Sequence, residues 1–200
     1  MIILGIDPGL AIVGWGVLEY QNTRFRPLAY GSINTPAGME TAQRLALIHR
    51  DLCAIIDKFK PTQMAVEELF FTKNITTGIR VAEARGVILM TGQERGLELA
   101  EYTPMQVKQA VVGYGAADKK QVISMVTRIL NLPAPPKPDD TADALAIAIC
   151  HAHSGCSRLG GYFNKMQYCP QIPTDSAHEM QLGKKIVFGD FPFQIWEETY

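Results

Sequence analysis

The chain has 200 residues, 47% hydrophobic and 20% charged, which excludes a disordered or fibrous protein and suits one globular domain with its own core. A net charge of −1 argues against a uniformly basic nucleic-acid binder. No run of about 18 apolar residues offers a membrane span. The N-terminus lacks the basic-then-apolar pattern of a secretion signal, so a cytoplasmic protein with free thiols among its four cysteines is expected.

The first stretch, MIILGID (1–7), reads as a buried strand that ends on an acid, Asp7, followed by Pro8-Gly9. Two more strand-like runs follow: GWGVLEY (14–20), and FRPLAYGSI (25–33), whose Pro27 suits an edge position. Their short connections predict an antiparallel meander. Between 39 and 59 the period changes. Leu45, Ile48, Leu52, Ile55, Ile56 and Phe59 recur every three or four residues, an amphipathic helix that stops before Pro61.

QMAVEE (63–68) is another short buried strand, ending on Glu67 and Glu68. A long helix is predicted over 74–95, with Asn74 as N-cap and with Ala82, Ala84 and Gly86 permitting close contact with a neighbour. LELAEY (97–102) is a strand, and Pro104 fits the first turn of the helix after it. An amphipathic helix covers 118–130. The proline-rich connector LPAPPKPDD (132–140) then delivers DDTADALAIAICHAH, a helix expected to be capped by Asp139 or Asp140. Together these elements predict an α/β domain over 1–153, a mixed sheet with helices on its faces. Residues 154–200 change character and read as an appended extension with an apolar end, FPFQIW.

The acids that terminate apolar elements are the functional signal. Asp7 ends the first strand, Glu67 and Glu68 end the fourth, and Asp140 and Asp143 open the last helix. In open α/β sheets, functional groups gather beyond the strand ends. If strands one and four are neighbours, Asp7 and one glutamate converge there; only one can, because adjacent strand residues point to opposite faces. Asp140 and Asp143, three apart, share one helix face. Four such carboxylates repel one another unless a cation neutralises them. Hard oxygen donors suit Mg²⁺ or Mn²⁺, and two metals can activate water and stabilise the leaving oxygen of a phosphodiester.

Each acid alone has an ordinary explanation: a turn residue before Pro-Gly, a solvated strand end, a helix cap. Their joint placement points to a metal cage. Residues 1–153 hold 15 Lys+Arg and 15 Asp+Glu, so neutralising four carboxylates would leave an excess of four positive charges around the pocket. A second candidate metal group, Cys150, His151, His153, Cys156 and Cys169, matches no standard zinc spacing, and Cys150 falls on the apolar side of its helix.

Five ordered segments carry a resemblance: ILGIDPGLAIVGWGV (3–17), AVEELFFTKN (65–74), ARGV (84–87), QVKQAVVGYGAADKKQV (106–122) and PDDTADALAIAI (138–149). In them the chain resembles the RuvC family of bacterial Holliday-junction resolvases. The resemblance implies an RNase H-like fold with a mixed five-stranded sheet and helices on both faces. It implies a catalytic and metal-binding tetrad of Asp7, Glu67, Asp140 and Asp143, and so selects Glu67 over Glu68. Asp139 has no place in that pattern and reads as a cap or linker residue.

The resemblance further implies two Mg²⁺ per subunit, with Mn²⁺ able to substitute, a homodimer acting on a four-way DNA junction, and cooperation with the RuvA–RuvB branch-migration motor. Cleavage would be symmetric and leave 5′-phosphate and 3′-hydroxyl ends. Beside the tetrad, Phe70 and Phe71 are candidates for stacking on unpaired bases, Phe70 the stronger. Lys73, Arg80, Lys108, Lys119 and Lys120 are candidates for phosphate contacts, Lys119 foremost because it lies in the matched AADKKQV stretch. GIDPG is also similar to the phosphate-holding hairpin of actin-like ATPases and sugar kinases, but those need a second related domain, and no Walker-type motif is present. A YqgF-type nuclease acting on RNA, or a non-catalytic junction-binding protein, are the remaining alternatives. The first usually lacks the 67–74 and 138–149 segments together, and the second would be expected to lack a tetrad acid.

Overall fold

The computed structural model describes residues 1–69 and 75–156, without the side chains of 75–77 and 156. The extension expected from 154 onward therefore lies almost wholly outside the described residues. Five strands form one sheet in the order β3-β2-β1-β4-β5. β1 (Ile2–Asp7), β2 (Ile12–Gln21) and β3 (Arg24–Asn34) are antiparallel neighbours, as the meander predicts, and Pro27 sits on the edge strand β3. β4 (Gln63–Glu67) lies parallel to β1, and β5 (Glu98–Tyr102) parallel to β4. This is the mixed five-stranded sheet expected.

Strand alternation divides the core in two. Leu4, Ile6, Val17, Met64 and Val66 pack on one face against α1 (Thr41–Phe59) and α2 (Ile75–Glu94), through Ile48, Leu52, Ile56, Ala84 and Ile88. Ile3, Leu18 and Ala65 face the other way. There they meet α3 (Pro104–Val112), α4 (Lys119–Ile129) and α5 (Asp139–Cys156). α5 is buried almost along its whole length: Ala144 to Ile149 are fully inaccessible.

The helix ends follow local chemistry. Thr103 and Asp118 cap α3 and α4 with reciprocal capping boxes to Gln106 and Gln121, and Pro104 stands in the first turn of α3. α1 closes on Lys60 in a left-handed conformation, just before Pro61. One expectation is corrected at α5. Asp139 and Asp140 both lie inside its first turn rather than capping it, because the chain is already helical when it leaves Pro138, whose carbonyl accepts from the Thr141 amide.

α5 comes unusually near the sheet backbone, and three glycines explain why. A Cβ on Gly14 would collide with the Asp140 carbonyl, and one on Gly5 with the Ala144 carbonyl. A Cβ on Gly16 would meet the side chain of Leu145, 2.6 Å from Cδ2. Gly14 pairs with Asp7 and Gly16 with Gly5 across the β1–β2 ladder, so together they form a side-chain-free trough under the helix.

The obstacle at Gly14 is backbone, whereas at Gly16 it is a leucine tip that can turn aside. Gly14→Ala should therefore destabilise the protein by about 1–3 kcal/mol, the usual range for overpacking, and Gly16→Ala by distinctly less. Urea unfolding of both variants checks this. Equal losses would mean that α5 is free to lift from the sheet.

Candidate active site

Parity and register bring the acids together. Asp7 is the last residue of β1, and its neighbours Gly5 and Ile3 face α5, so Asp7 does too. Ala65 of β4 faces the same side, which turns Glu67 toward α5 and Glu68 toward α2. β1 and β4 run parallel with Ile6 opposite Val66, so Asp7 and Glu67 end adjacent strands at the same level. The trough then sets the opening of α5 directly above: the Asp140 backbone rests over Gly14, the partner of Asp7. Asp143 follows one turn later.

The electrostatics register this crowding. Burial, reinforced by the charges of Glu67, Asp143 and Asp140, pushes the Asp7 carboxyl up from 3.8 to about 8. Burial and the Asp143 charge push Glu67 up from 4.5 to about 7. Asp143 is also raised, by burial and by the charges of Asp140 and Asp139, against the opposing pull of Lys119. Glu67, not Glu68, is the glutamate on the Asp7 side of the sheet.

Two of the candidate lysines stand beside the acids. Lys119, the first residue of α4, places its Nζ 3.0 Å from Asp143 Oδ2 and 3.7 Å from Asp139 Oδ2. Desolvation works against its ammonium, but the Asp143 hydrogen bond and the surrounding aspartates outweigh it and raise its pKa. Asp139 is thus a second carboxylate for Lys119 rather than a cap. Lys108, half-buried on α3, lowers the proton affinity of Glu67 from the other side.

Lys120 lines a shallow groove with Ile123, Ser124, Thr127, Arg128 and Pro135, and Arg80 is exposed on α2. Phe70, Phe71 and Lys73, with the Asn74 cap, lie outside the described residues.

Sequence reasoning assigns no role to Gly5, Gly14 and Gly16, although the alternation in GWG is a readable signal of a bare sheet face. Nor does it assign one to Arg85. This arginine of α2 pairs with Glu101 on β5 and donates from Nε to the Glu67 carbonyl at 3.2 Å. Among the described residues, the second metal candidate forms no cluster at ligand distance. Cys150 is a buried thiol, and His151 is engaged at 2.8 Å by Tyr102 Oη and at 3.0 Å by Gln63 Oε1. Cys169 and the side chain of Cys156 lie outside the described residues.

Among the described residues no three Asp, Glu, His or Cys side chains already stand at mutual ligand distance. The tetrad nevertheless fits a divalent hard cation in its chemistry. It is all oxygen, half-buried, and charged beyond what the two neighbouring ammonium groups balance.

The fold and the acidic end of its sheet define the class first: an RNase H-like α/β protein. The model of the family described as "Crossover junction endodeoxyribonuclease RuvC" matches residues 3–151. A crossover junction endodeoxyribonuclease RuvC from Halothermothrix orenii is 58% identical over 154 residues, 77% of this chain and 93% of that relative. The solved structure of Thermus thermophilus RuvC in complex with Holliday junction substrate is 37% identical, with a TM-score of 0.75 over 80% of this chain and 96% of that one. The yeast mitochondrial Holliday junction resolvase Ydc2, 15% identical with a TM-score of 0.57, shares the fold. The chain belongs to the RuvC family.

The raised carboxyls carry a sign for stability. Between about pH 4 and about pH 8 the folded, metal-free protein holds protons on Asp7 and Glu67 that the unfolded chain has released, so its stability falls as pH rises through that window. A salt-bridged carboxylate would instead gain stability as pH rises, and only below about pH 4. In chelator, the melting temperature should drop between about pH 4 and about pH 8, and Asp7→Asn should flatten the profile and raise Tm at its alkaline end. A wild-type Tm that climbs with pH over that range would contradict the assigned crowding.

Proposed function

We propose that this protein resolves Holliday junctions by paired, symmetric, metal-dependent hydrolysis of phosphodiesters, leaving 5′-phosphate and 3′-hydroxyl nicks. The observation that carries it is the electrostatic coupling of Asp7, Glu67, Asp140 and Asp143 at one sheet end in a chain of this family. The substrate reading is supported by the junction complex of the Thermus thermophilus relative.

Asp7, Glu67, Asp140 and Asp143 would hold two Mg²⁺ ions, or Mn²⁺ in their place. When bound, such metal activates water and stabilises the leaving oxygen. The chain's own residues do the rest. Asp7 and Glu67, raised by burial, release protons when a cation competes for them, so metal affinity rises with pH. Asp143 is kept in place by the Lys119 ammonium, which also offers the scissile strand a positive charge at the mouth of the cluster. Lys108 adds a second such charge on the Glu67 side. Lys120 and Arg80, exposed on α4 and α2, would contact phosphates farther along the arms, as would Lys73. Phe70, with Phe71, would stack on bases unpaired at the junction centre.

Symmetric cutting needs two sites, hence a homodimer. The exposed side of α2 supports that reading. Ile79 and Met90 are 54% and 53% accessible there, and Gly86 has open space over its Cα. A second copy of the chain laid along this face would cover them. RuvA and RuvB are the partners the family resemblance implies, in the cytoplasm. Among the described residues no helix is long and apolar enough to cross a membrane.

The decisive assay offers a synthetic four-way junction, a linear duplex and a structured RNA, with and without Mg²⁺. Paired nicks on the junction alone, lost in Asp7→Asn by a factor of about 10³ or more as expected for a group central to the chemistry, support the proposal. Cleavage of RNA, or cutting indifferent to Asp7→Asn, overturns it. Met90→Arg should shift the protein toward monomer in sedimentation and uncouple the two nicks. A dimer unchanged by Met90→Arg and by Ile79→Glu would move the interface elsewhere.

A further inference from the structure

We infer that Arg85 is the positioning residue for Glu67: from α2 it clamps the peptide unit that follows the acid and thereby fixes where the carboxylate points. This rests on the reading of Glu67 as a metal ligand.

The peptide unit between Glu67 and Glu68 is held at both of its polar atoms. Its carbonyl accepts from Arg85 Nε at 3.2 Å, and its N–H donates to the Tyr102 carbonyl on β5 at 2.8 Å. β4 itself ends at Glu67, so this is where the regular ladder gives out and orientation must come from elsewhere. Arg85 is well placed to supply it. Its guanidinium is mostly buried, with 18% of the side chain accessible, and its Nη2 is bound to Glu101 Oε2.

The two contacts come from different nitrogens of one rigid plane. With Glu101 fixing one edge of the guanidinium and the Glu67 carbonyl meeting Nε, neither the strand end nor the arginine has rotational freedom left. Alternation completes the arrangement. Glu101 points to the α2 side of the sheet to meet Arg85, while the Glu67 side chain points to the α5 side, so the clamp reaches the acid through its backbone without competing for its carboxylate. Strand ends that carry metal ligands commonly depend on such outer partners, whose loss weakens metal binding or turnover about 10- to 100-fold.

An ion pair serving only to hold α2 against β5 would make a different prediction, and Arg85→Lys separates the two. Lysine retains the charge for Glu101, but one terminal nitrogen cannot reproduce a planar group bound through two. The fold should survive, with Tm lowered by no more than about 3 °C, equivalent to roughly 1 kcal/mol in a chain of this size. The Mg²⁺ concentration for half-maximal junction cleavage should rise about tenfold, while junction affinity in chelator stays that of wild type. The Tm increase that Mg²⁺ gives the DNA-free protein should shrink in parallel, and the Glu68 amide should exchange faster with solvent.

Glu101→Gln, which keeps shape but weakens the anchor, should fall between wild type and Arg85→Lys in all these readouts. Wild-type Mg²⁺ dependence and wild-type Glu68 exchange in Arg85→Lys would overturn the inference, as would a loss of Tm with nothing else. If the wild-type protein itself neither cuts the junction nor gains stability with Mg²⁺, the metal-ligand reading of Glu67 fails instead. Glu68 exchange would still report on the clamp.

Discussion

The contact between α5 and the bare faces of β1 and β2 sets everything else in this molecule. A helix usually rests on a layer of interdigitated side chains that holds it off the sheet. Here Gly5, Gly14 and Gly16 remove them, and the carbonyls of Asp140 and Ala144 descend to where a Cβ would otherwise be. The alanines of ADALAIAI are the matching half, since Ala144 and Ala148 are small enough to approach. That closeness lets a helix-borne carboxylate and a strand-borne one share a site. A helix one side-chain layer higher would carry Asp140 and Asp143 out of reach of Asp7.

The proximity has an electrostatic cost that the fold answers only in part. Two lysines, Lys108 and Lys119, stand against four half-buried acids, and Lys119 divides its charge between Asp143 and Asp139. The first turn of α5 helps, because its free N–H groups favour the negative charge of Asp139 and Asp140. What remains shows in the raised carboxyls of Asp7 and Glu67. An assembly stabilised by its own ion pairs would leave them at or below ordinary values. A site left short of positive charge is one that gains stability by accepting more, from a divalent ion or from a lysine brought closer.

Much of this could be read from residues alone, because the signals are local. The apolar runs MIILGID and QMAVEE, the period of 45–59, Pro27 at an edge and Pro104 in a first turn each follow from one or two residues and their neighbours. The acids were visible as charges in the wrong places, at the ends of apolar runs. Hidden were the facts that depend on what lies across the sheet. Composition cannot tell a glycine serving a turn from one serving a helix overhead. Likewise the choice between Glu67 and Glu68 needs the register of β4 against β1, which strand length does not supply. Arg85 was invisible for the same reason: its partners are 18 and 16 residues away in the chain. At Asp139 the local rule misled, since prolines followed by aspartates read as a cap, whereas the tertiary position of Lys119 gives the residue a charge to meet.

The two faces of the sheet therefore do different jobs at one strand end. On the α5 side, Asp7 and Glu67 present carboxylates to a helix that brings two more. On the α2 side, the residues of opposite parity, Glu68 and Glu101, surround Arg85 and hold the backbone from behind. Period-two alternation makes this division automatic, because any strand that aims one residue into a cleft aims the next at the opposite layer. A mixed sheet covered on both faces can thus build a site and its support from consecutive residues of the same strand. It also gives α2 a mechanical line to the acids: the helix whose outer face carries Ile79 and Met90 holds, through Arg85 on its inner side, the peptide that orients Glu67. Anything seated on the outer face bears on the same rigid rod that clamps the acid.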